Sequence, residues 1–159
     1  RLVDHLLGQL KGHDVIVVSP HLLPGVATTS EQPPFGGPVA GIAAGIAALD
    51  HHSDVTAILA VDAPHSAEML PALQAALGTA DVAVTVAADG WIQPLCAVWR
   101  TTSLIEALTS LGEVRDRPVK ALLRQAATVV EVPGDGTEAD YDTLGELTTL
   151  GEVELPRTR

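Results

Sequence analysis

The chain has 159 residues, a formal net charge of −11 at pH 7 and a composition that is 47% hydrophobic but only 3% aromatic. That length predicts one domain whose core is built from Ala, Val and Leu. The charge argues against a nucleic-acid-binding surface, which needs clustered Lys and Arg. The single Cys96 excludes an internal disulfide. The sequence has no transmembrane run and no signal peptide, so the predicted location is the cytoplasm, without membrane contact.

Strands and helices alternate along the chain. The predicted strands are 15–18, a short edge strand near 26, 57–61, 82–86, 95–99 and 128–132. The predicted helices are 1–11, 38–49, 66–77, 101–111, 119–127 and a short one near 144–150, with Thr101 to Ser103 as the cap of the fourth. This order predicts an α/β fold with crossover units and a mostly parallel sheet, which a hairpin turning at Asp89-Gly90 makes mixed.

Asp62 is the first candidate site residue. It follows the apolar run AILAV (57–61), which is typical of a strand buried on both faces of a parallel sheet. A carboxylate at that point lies at the carboxyl edge of the sheet, where open α/β folds bind ligands. The alternative is that Asp62 only caps the next helix, and the spacing alone does not separate the two interpretations.

A second carboxylate, Asp142, also lies where a helix begins after an extended segment. If both strands are parallel, Asp62 and Asp142 reach the same edge and share a hard cation such as Mg²⁺, which takes oxygen ligands and phosphate. The acidic composition favours this pairing, because a metal would supply the positive charge that a polyanionic substrate needs. The alternative for Asp142 is a plain helix N-cap.

The stretch EQPPFGGP (31–38) is a candidate nucleotide loop. Glycines let a backbone approach a ligand, and the helix that starts at Pro38 offers N–H groups and its dipole to an anion. The alternative is a tight turn. Common nucleotide, hydrolase and zinc motifs, such as GxxxxGK[ST], GxSxG and paired Cys–His spacings, are absent.

Two further polar groups are open to more than one interpretation. Gln93-Pro94 opens a strand, so Gln93 lies either at the rim of the sheet or against a ligand. Arg115, Arg117 and Lys120 form the basic cluster of the chain. They either hold a phosphate or offset the neighbouring acidic residues Glu113 and Asp116.

Four motifs, GGPVAGIAAGI, AILAVDAP, IQPLCAVWR and DYDTLGEL, stand in an order that resembles the MobA-like nucleotidyltransferases, in particular the molybdenum cofactor guanylyltransferases. The resemblance covers most of residues 1–150 and leaves 151–159 as a C-terminal tail. It implies a Rossmann-like, three-layer αβα domain that is a monomer or a weak homo-oligomer. Its implied activity is Mg²⁺-dependent transfer of a nucleoside monophosphate, GMP from GTP (or CMP from CTP), to molybdopterin. The alternatives are a related cytidylyl- or sugar-phosphate nucleotidyltransferase, or a non-catalytic nucleotide-binding homologue.

The resemblance also implies roles for individual residues. Asp62 would be the catalytic Mg²⁺ ligand beside the triphosphate, and Asp142 falls in the family's second acidic or amide position. The implied nucleotide contacts are Ser19, Gln32, Gly37 and Pro38, and the residues implied to lie toward the acceptor are Gln93, Pro94, Arg117 and Lys120.

Two features depart from the family pattern. The glycine-rich phosphate loop of the form LAGGxSxRMGxxK, and the strand before it, would stand upstream of VIVV (15–18), where this chain has no room for them. We expect those residues to precede Arg1, because removing a central strand would leave unpaired ladders on both sides. Gln32 stands where relatives usually have Asp, which leaves the base preference open.

Overall fold

The structure is a computed structural model that describes residues 2–23, 25–49, 53–63 and 65–136. The last predicted helix and Asp142 lie outside these residues. The helices are α1 (Leu2–Gln9), α2 (Pro38–Ala48), α3 (Leu70–Leu77), α4 (Thr101–Leu111) and α5 (Val119–Leu123), and a 3₁₀ turn (Ser66–Met69) leads into α3. The strands are β1 (Val17–Val18), β2 (Thr28–Thr29), β3 (Val55–Leu59), β4 (Val82–Val86), β5 (Ile92–Arg100) and β6 (Val129–Pro133).

The strands form two sheets. In the larger one the order is β3-β5-β4-β6, with β5 antiparallel to both of its neighbours and β4 parallel to β6. Three strands therefore run in one direction and β5 runs against them. The short strands β1 and β2 form a separate parallel pair. The predictions of an α/β fold, of a mostly parallel mixed sheet and of a β4–β5 hairpin are confirmed.

Helices cover both faces of the larger sheet. Successive residues of a strand point to opposite faces, and the two buried clusters follow this alternation along β4 and β5. One face packs against α2, α4 and α5 and carries Val82, Val84, Ala97 and Trp99. The other packs against the 3₁₀ turn and α3 and carries Ala83, Cys96 and Val98. The arrangement has the three layers of an αβα domain.

The strand predicted over 57–61 differs from the observed β3. It occupies Val55–Leu59 instead, and it is half-buried, with Ala57 exposed. The prediction of burial on both faces is wrong because β3 lies at the end of the larger sheet. It pairs with β5 on one side, and among the described residues no strand pairs with its other side. A groove separates that side from β1.

Glycines bring α2 close to β1. A Cβ on Gly41 would lie 3.3 Å from Val18 Cγ1, and one on Gly45 would lie 3.2 Å from Val18 Cγ2. Both distances are tighter than ordinary van der Waals contact, so only glycine permits this approach without a shift of Val18. The close approach of α2 to β1 thus depends on these two glycines.

The predicted cap of α4 is wrong. The helix begins at Thr101, and no side chain caps it. Thr101 Oγ1 instead shares a 2.8 Å hydrogen bond with Thr56 Oγ1 on β3, and Ser103 Oγ donates to Asp81 Oδ1 at 2.7 Å. These hydroxyls join α4 to the sheet rather than closing the start of their own helix.

Asp81 connects three elements at the start of β4. Its carboxylate accepts hydrogen bonds from Ser103 Oγ at 2.7 Å, from the Ala127 N–H at 2.9 Å and from the Thr128 N–H at 3.0 Å. These bonds, that of Ser103 foremost, hold the pKa of Asp81 below its ordinary value of 3.8. A lowered folded-state pKa means that the carboxylate stabilises the fold fully above the unfolded-state pKa and ceases to do so as the pH falls through the folded-state pKa.

We therefore expect Asp81→Asn to lower the free energy of unfolding at pH 7 by about 1–3 kcal/mol, because a charged acceptor of several hydrogen bonds is lost. The deficit should begin to shrink as the pH falls below 3.8, where the carboxyl of the unfolded chain takes up a proton, and should go on shrinking as the pH falls through the lower pKa of the folded state. Urea unfolding of both proteins at pH 7 and at pH 3 measures this difference. The exposed Glu106→Gln on α4 is the control. An equal deficit at both pH values would contradict the assignment.

Candidate functional site

A groove of about 870 Å³ lies between the two sheets. Its walls include two continuous stretches, 13–20 around β1 and 55–62 around β3, together with residues of α1 and α2. Four of the predicted site residues line it: Ser19, Gly37, Pro38 and Asp62. The fold thus brings together residues that the sequence places in three separate segments.

Ser19 is held in place by the small sheet. Its N–H donates to the Thr29 carbonyl oxygen at 2.8 Å, which continues the β1–β2 pairing. Its Oγ accepts the N–H of His21 at 3.1 Å, which turns the chain away from the strand. Ser19 is half-buried at the groove, and its hydroxyl hydrogen keeps its capacity to donate.

Gly37 and Pro38 form the start of α2. Gly37 is the N-cap with φ 90°, a left-handed conformation that favours glycine, and Pro38 takes the first helical position. No side chain caps this helix start. Pro38 has no N–H and the Gly41 N–H donates to the Gly37 carbonyl oxygen at 3.1 Å, so the first-turn N–H groups without a helical partner are those of the buried residues Val39 and Ala40. The positive end of the helix dipole lies at Gly37 and Pro38 beside the groove, where it favours an anion.

Asp62 lies in a turn after β3, and its side chain is exposed at the groove. The N-cap of the following 3₁₀ turn is His65, and no side chain caps that turn. The helix-capping interpretation of Asp62 is therefore wrong. Within the described part of the chain, no hydrogen bond or ion pair involves the carboxylate of Asp62. Its role as a metal ligand stays a prediction.

Glu31 is a groove residue that the sequence analysis did not single out. It is half-buried; its Oε1 accepts a hydrogen bond from Ser30 Oγ at 3.2 Å, and its Oε2 would lie 3.4 Å from a Cβ on Gly41. The signal in the sequence was its position in the candidate loop, directly before Gln32. Only the fold reveals that its carboxylate, rather than the amide of Gln32, faces the groove.

The charged groups of the groove are acidic. Its carboxylates are Asp14, Glu31 and Asp62, and no Lys or Arg is among the described residues that line it. Oxygen ligands of this kind fit Mg²⁺, which proteins bind through one or two carboxylates plus substrate phosphates rather than in a closed cage. The described residues contain no group of three or more His, Cys, Asp or Glu side chains that could hold a metal ion.

The other predicted site residues that the structure describes are not part of the groove lining. Gln32 is exposed beside it, whereas Gln93 and Pro94 are half-buried in β5, where Gln93 pairs with Thr85 of β4. Lys120 on α5 places its Nζ 5.0 Å from the ring centroid of the exposed Trp91. The acceptor contacts implied for Gln93, Pro94, Arg117 and Lys120 therefore stay predictions, as does the metal contact of Asp142.

The fold and groove define an α/β domain with an acidic groove at an uncapped helix N-terminus, a combination suited to a phosphate-bearing ligand and its metal. The chain belongs to the family of MobA-like NTP transferase domains, whose sequence profile matches residues 1–130. This confirms the family resemblance, which the match covers at the first three motifs but not at DYDTLGEL (140–147), and identifies the class as nucleotidyltransferase.

A solved structure supports the fold. The molybdopterin-guanine dinucleotide biosynthesis protein A from Archaeoglobus fulgidus matches with a TM-score of 0.65 and 15% sequence identity. The match covers 94% of this chain and 83% of that protein. A search of curated protein sequences gives no match. No helix in the described ranges has the length and apolar character needed to cross a bilayer.

Proposed function

We propose that this chain is a molybdenum cofactor guanylyltransferase: it binds GTP in the groove and transfers GMP to the phosphate of molybdopterin. The observation that carries the proposal is the convergence of the Asp62 carboxylate and the uncapped N-terminus of α2 on one groove. Membership of the MobA-like NTP transferase family and the fold shared with the Archaeoglobus protein support it.

The charge of the groove constrains how a triphosphate would bind. Because no described Lys or Arg lines it, the phosphates need backbone N–H groups and a cation to offset their charge. The start of α2 supplies N–H groups, and Asp62 would hold Mg²⁺ together with the phosphates, with Asp142 as the second ligand. When bound, the metal would stabilise the negative charge that develops at the α-phosphate.

The protein's own contribution is then mainly positioning. Ser19, Gln32, Gly37 and Pro38 would orient the nucleotide, while Gln93, Pro94, Arg117 and Lys120 would face the acceptor. An oxygen of the acceptor phosphate forms a bond to the α-phosphorus, and the bond to the leaving pyrophosphate breaks. Orienting the two reactants for this in-line displacement supplies much of the rate enhancement.

Gln32 is the residue that favours a second candidate function. Gln32 replaces the acidic residue usual in relatives, so a cytidylyltransferase or a sugar-phosphate nucleotidyltransferase would be built on the same groove. The nucleotide that binds separates these possibilities, whereas a chain that binds nucleotide without turnover would be a non-catalytic homologue.

The proposal predicts a preference for GTP with Mg²⁺. At a GTP concentration of about 100 times Kd, binding stabilises the folded state by about 2.7 kcal/mol, which raises the Tm by roughly 5–10 °C for a chain of this size. Thermal unfolding with GTP, CTP, ATP and UTP, each with Mg²⁺ and with EDTA, measures the preference. A larger shift with CTP would favour the cytidylyl alternative, and no shift with any nucleotide would overturn the proposal.

A further inference from the structure

The candidate nucleotide loop is held by a segment far away in the sequence. Arg115 Nη1 donates a 2.6 Å hydrogen bond to the carbonyl oxygen of Pro33, and the N–H of Asp116 donates a 2.7 Å hydrogen bond to the carbonyl oxygen of Gly36. We call these two bonds the loop clamp. They attach both ends of the 33–36 segment to the stretch that leads into α5.

The guanidinium of Arg115 packs directly on the loop backbone. A Cβ on Gly36 would lie 2.7 Å from Arg115 Nη1, closer than real Cβ contacts, and 3.0 Å from its Cζ, which is tighter than most of them. On Gly37 it would lie 3.6 Å from the Cα of Asp116. Glycine at position 36 is therefore what lets Arg115 reach across the loop to Pro33.

The loop depends on this attachment because its own side chains pack poorly. Phe35 is 77% exposed, and it has a φ of 65°, a left-handed conformation that non-glycine residues adopt only when their surroundings enforce it. Gln32, Pro33 and Pro34 are also exposed. The clamp bonds lie on either side of Phe35, so they account for a conformation that the exposed ring does not stabilise.

The contacts of Arg115 fit neither role considered for the basic cluster, which were to hold a phosphate and to offset the charge of the neighbouring acidic residues. Its guanidinium is directed to the carbonyl of Pro33 rather than into the groove, and its backbone N–H, not its side chain, bonds to Glu113 Oε1 at 3.1 Å. Immediately after the clamped segment come Gly37 and Pro38, the start of α2 at the groove. We therefore expect a substitution of Arg115 to alter the start of α2 at the groove through the backbone of Gly36 and Gly37.

We propose that Arg115 is a positioning residue for the nucleotide: through the loop clamp it holds residues 33–37 so that the N-terminus of α2 is presented to the phosphates. This inference rests on the proposed function, since it assumes that the groove binds a nucleoside triphosphate. It assigns to Arg115 no contact with the nucleotide itself.

The test compares Arg115→Ala and Arg115→Lys with Arg124→Ala, an exposed arginine that follows α5. The probe is the nucleotide that most raises the Tm of the unmodified protein, titrated calorimetrically with Mg²⁺. We expect Arg115→Ala to weaken binding about 10-fold or more, because the loop loses a charge-assisted hydrogen bond. Arg115→Lys should recover part of the affinity, Arg124→Ala should bind as the unmodified protein does, and KM should change more than kcat.

Hydrogen exchange distinguishes positioning from a general loss of stability. In the nucleotide-free protein, Arg115→Ala should speed exchange of the Asp116 amide, which donates to the Gly36 carbonyl oxygen, while the amides of β4 and β5 remain protected. Two results would overturn the inference about Arg115 but not the proposed function. One is unchanged affinity in Arg115→Ala, and the other is a loss of affinity that accompanies faster exchange throughout the sheet. Failure of the unmodified protein to bind any nucleotide would overturn the proposed function, and this inference with it.

Discussion

Asp62→Ala is expected to lower the turnover of the proposed transfer reaction by at least about 100-fold, the size of effect seen when a group that stabilises transition-state charge is removed. Asp62 would hold the cation, and because no described Lys or Arg lines the groove, no described side chain there supplies the positive charge that is lost with that cation. Asp62→Asn should behave similarly, because the amide keeps the shape of the carboxylate but loses its charge. Steady-state assays of nucleotide transfer measure the effect.

The fold should not change in the Asp62 variants. The side chain is exposed and is not a helix cap, so its removal is expected to shift the free energy of unfolding by no more than about 0.5 kcal/mol. Asp54→Asn is the matched control, an exposed aspartate at the opposite end of β3. The assignment of Asp62 is wrong if its variants keep near-normal turnover, or if Asp54→Asn loses as much.

The largest effect on stability is expected for Trp99→Ala. Trp99 is the largest fully buried side chain and lies in β5, where it pairs with Thr56 of β3 on one side and Val82 of β4 on the other. Truncating it leaves a cavity in the centre of the larger core cluster, at a cost of about 3–5 kcal/mol. Chemical unfolding followed by far-UV circular dichroism measures the loss.

Two further variants test this reasoning about Trp99. Among the described residues its Nε1–H has no hydrogen-bond partner, so Trp99→Phe removes an unpaired buried donor along with part of the volume and should cost less than Trp99→Ala. Trp91→Ala is the control, because Trp91 is 63% exposed in the β4–β5 turn and its loss should shift stability by about 0.5 kcal/mol. Comparable losses at both tryptophans would contradict the described core.

The elements with strong local signals were predictable from the sequence. Proline directly after two glycines marked the start of α2, and the apolar runs marked β4, β5 and β6 to within a few residues. The class of fold followed from the alternation of these elements, because neighbouring parallel strands need a crossover connection, which is usually a helix. The family resemblance depended on the same local motifs, and the profile match over 1–130 confirms it.

Some sequence patterns fit two different local structures, and these patterns led to wrong predictions. The run AILAV fits a central strand and an edge strand equally well, and only the pairing order places β3 at the end of its sheet. Thr101 and Ser103 have the chemistry of a helix cap, but their hydroxyls bond instead to Thr56 on β3 and to Asp81, directly before β4. Local propensity cannot anticipate a tertiary partner that competes for the same hydroxyl.

The sequence by itself determined the class of fold, the acidic character and the candidate carboxylate Asp62, because apolar periodicity, charge and turn residues act over a few neighbouring positions. Only the tertiary structure decided that Ser19, Glu31, Gly37 and Asp62 share one groove. It alone also joined Arg115 to Pro33, which lie 82 positions apart in the chain. Such contacts arise from the packing of distant segments, and no short stretch of sequence carries a signal for them.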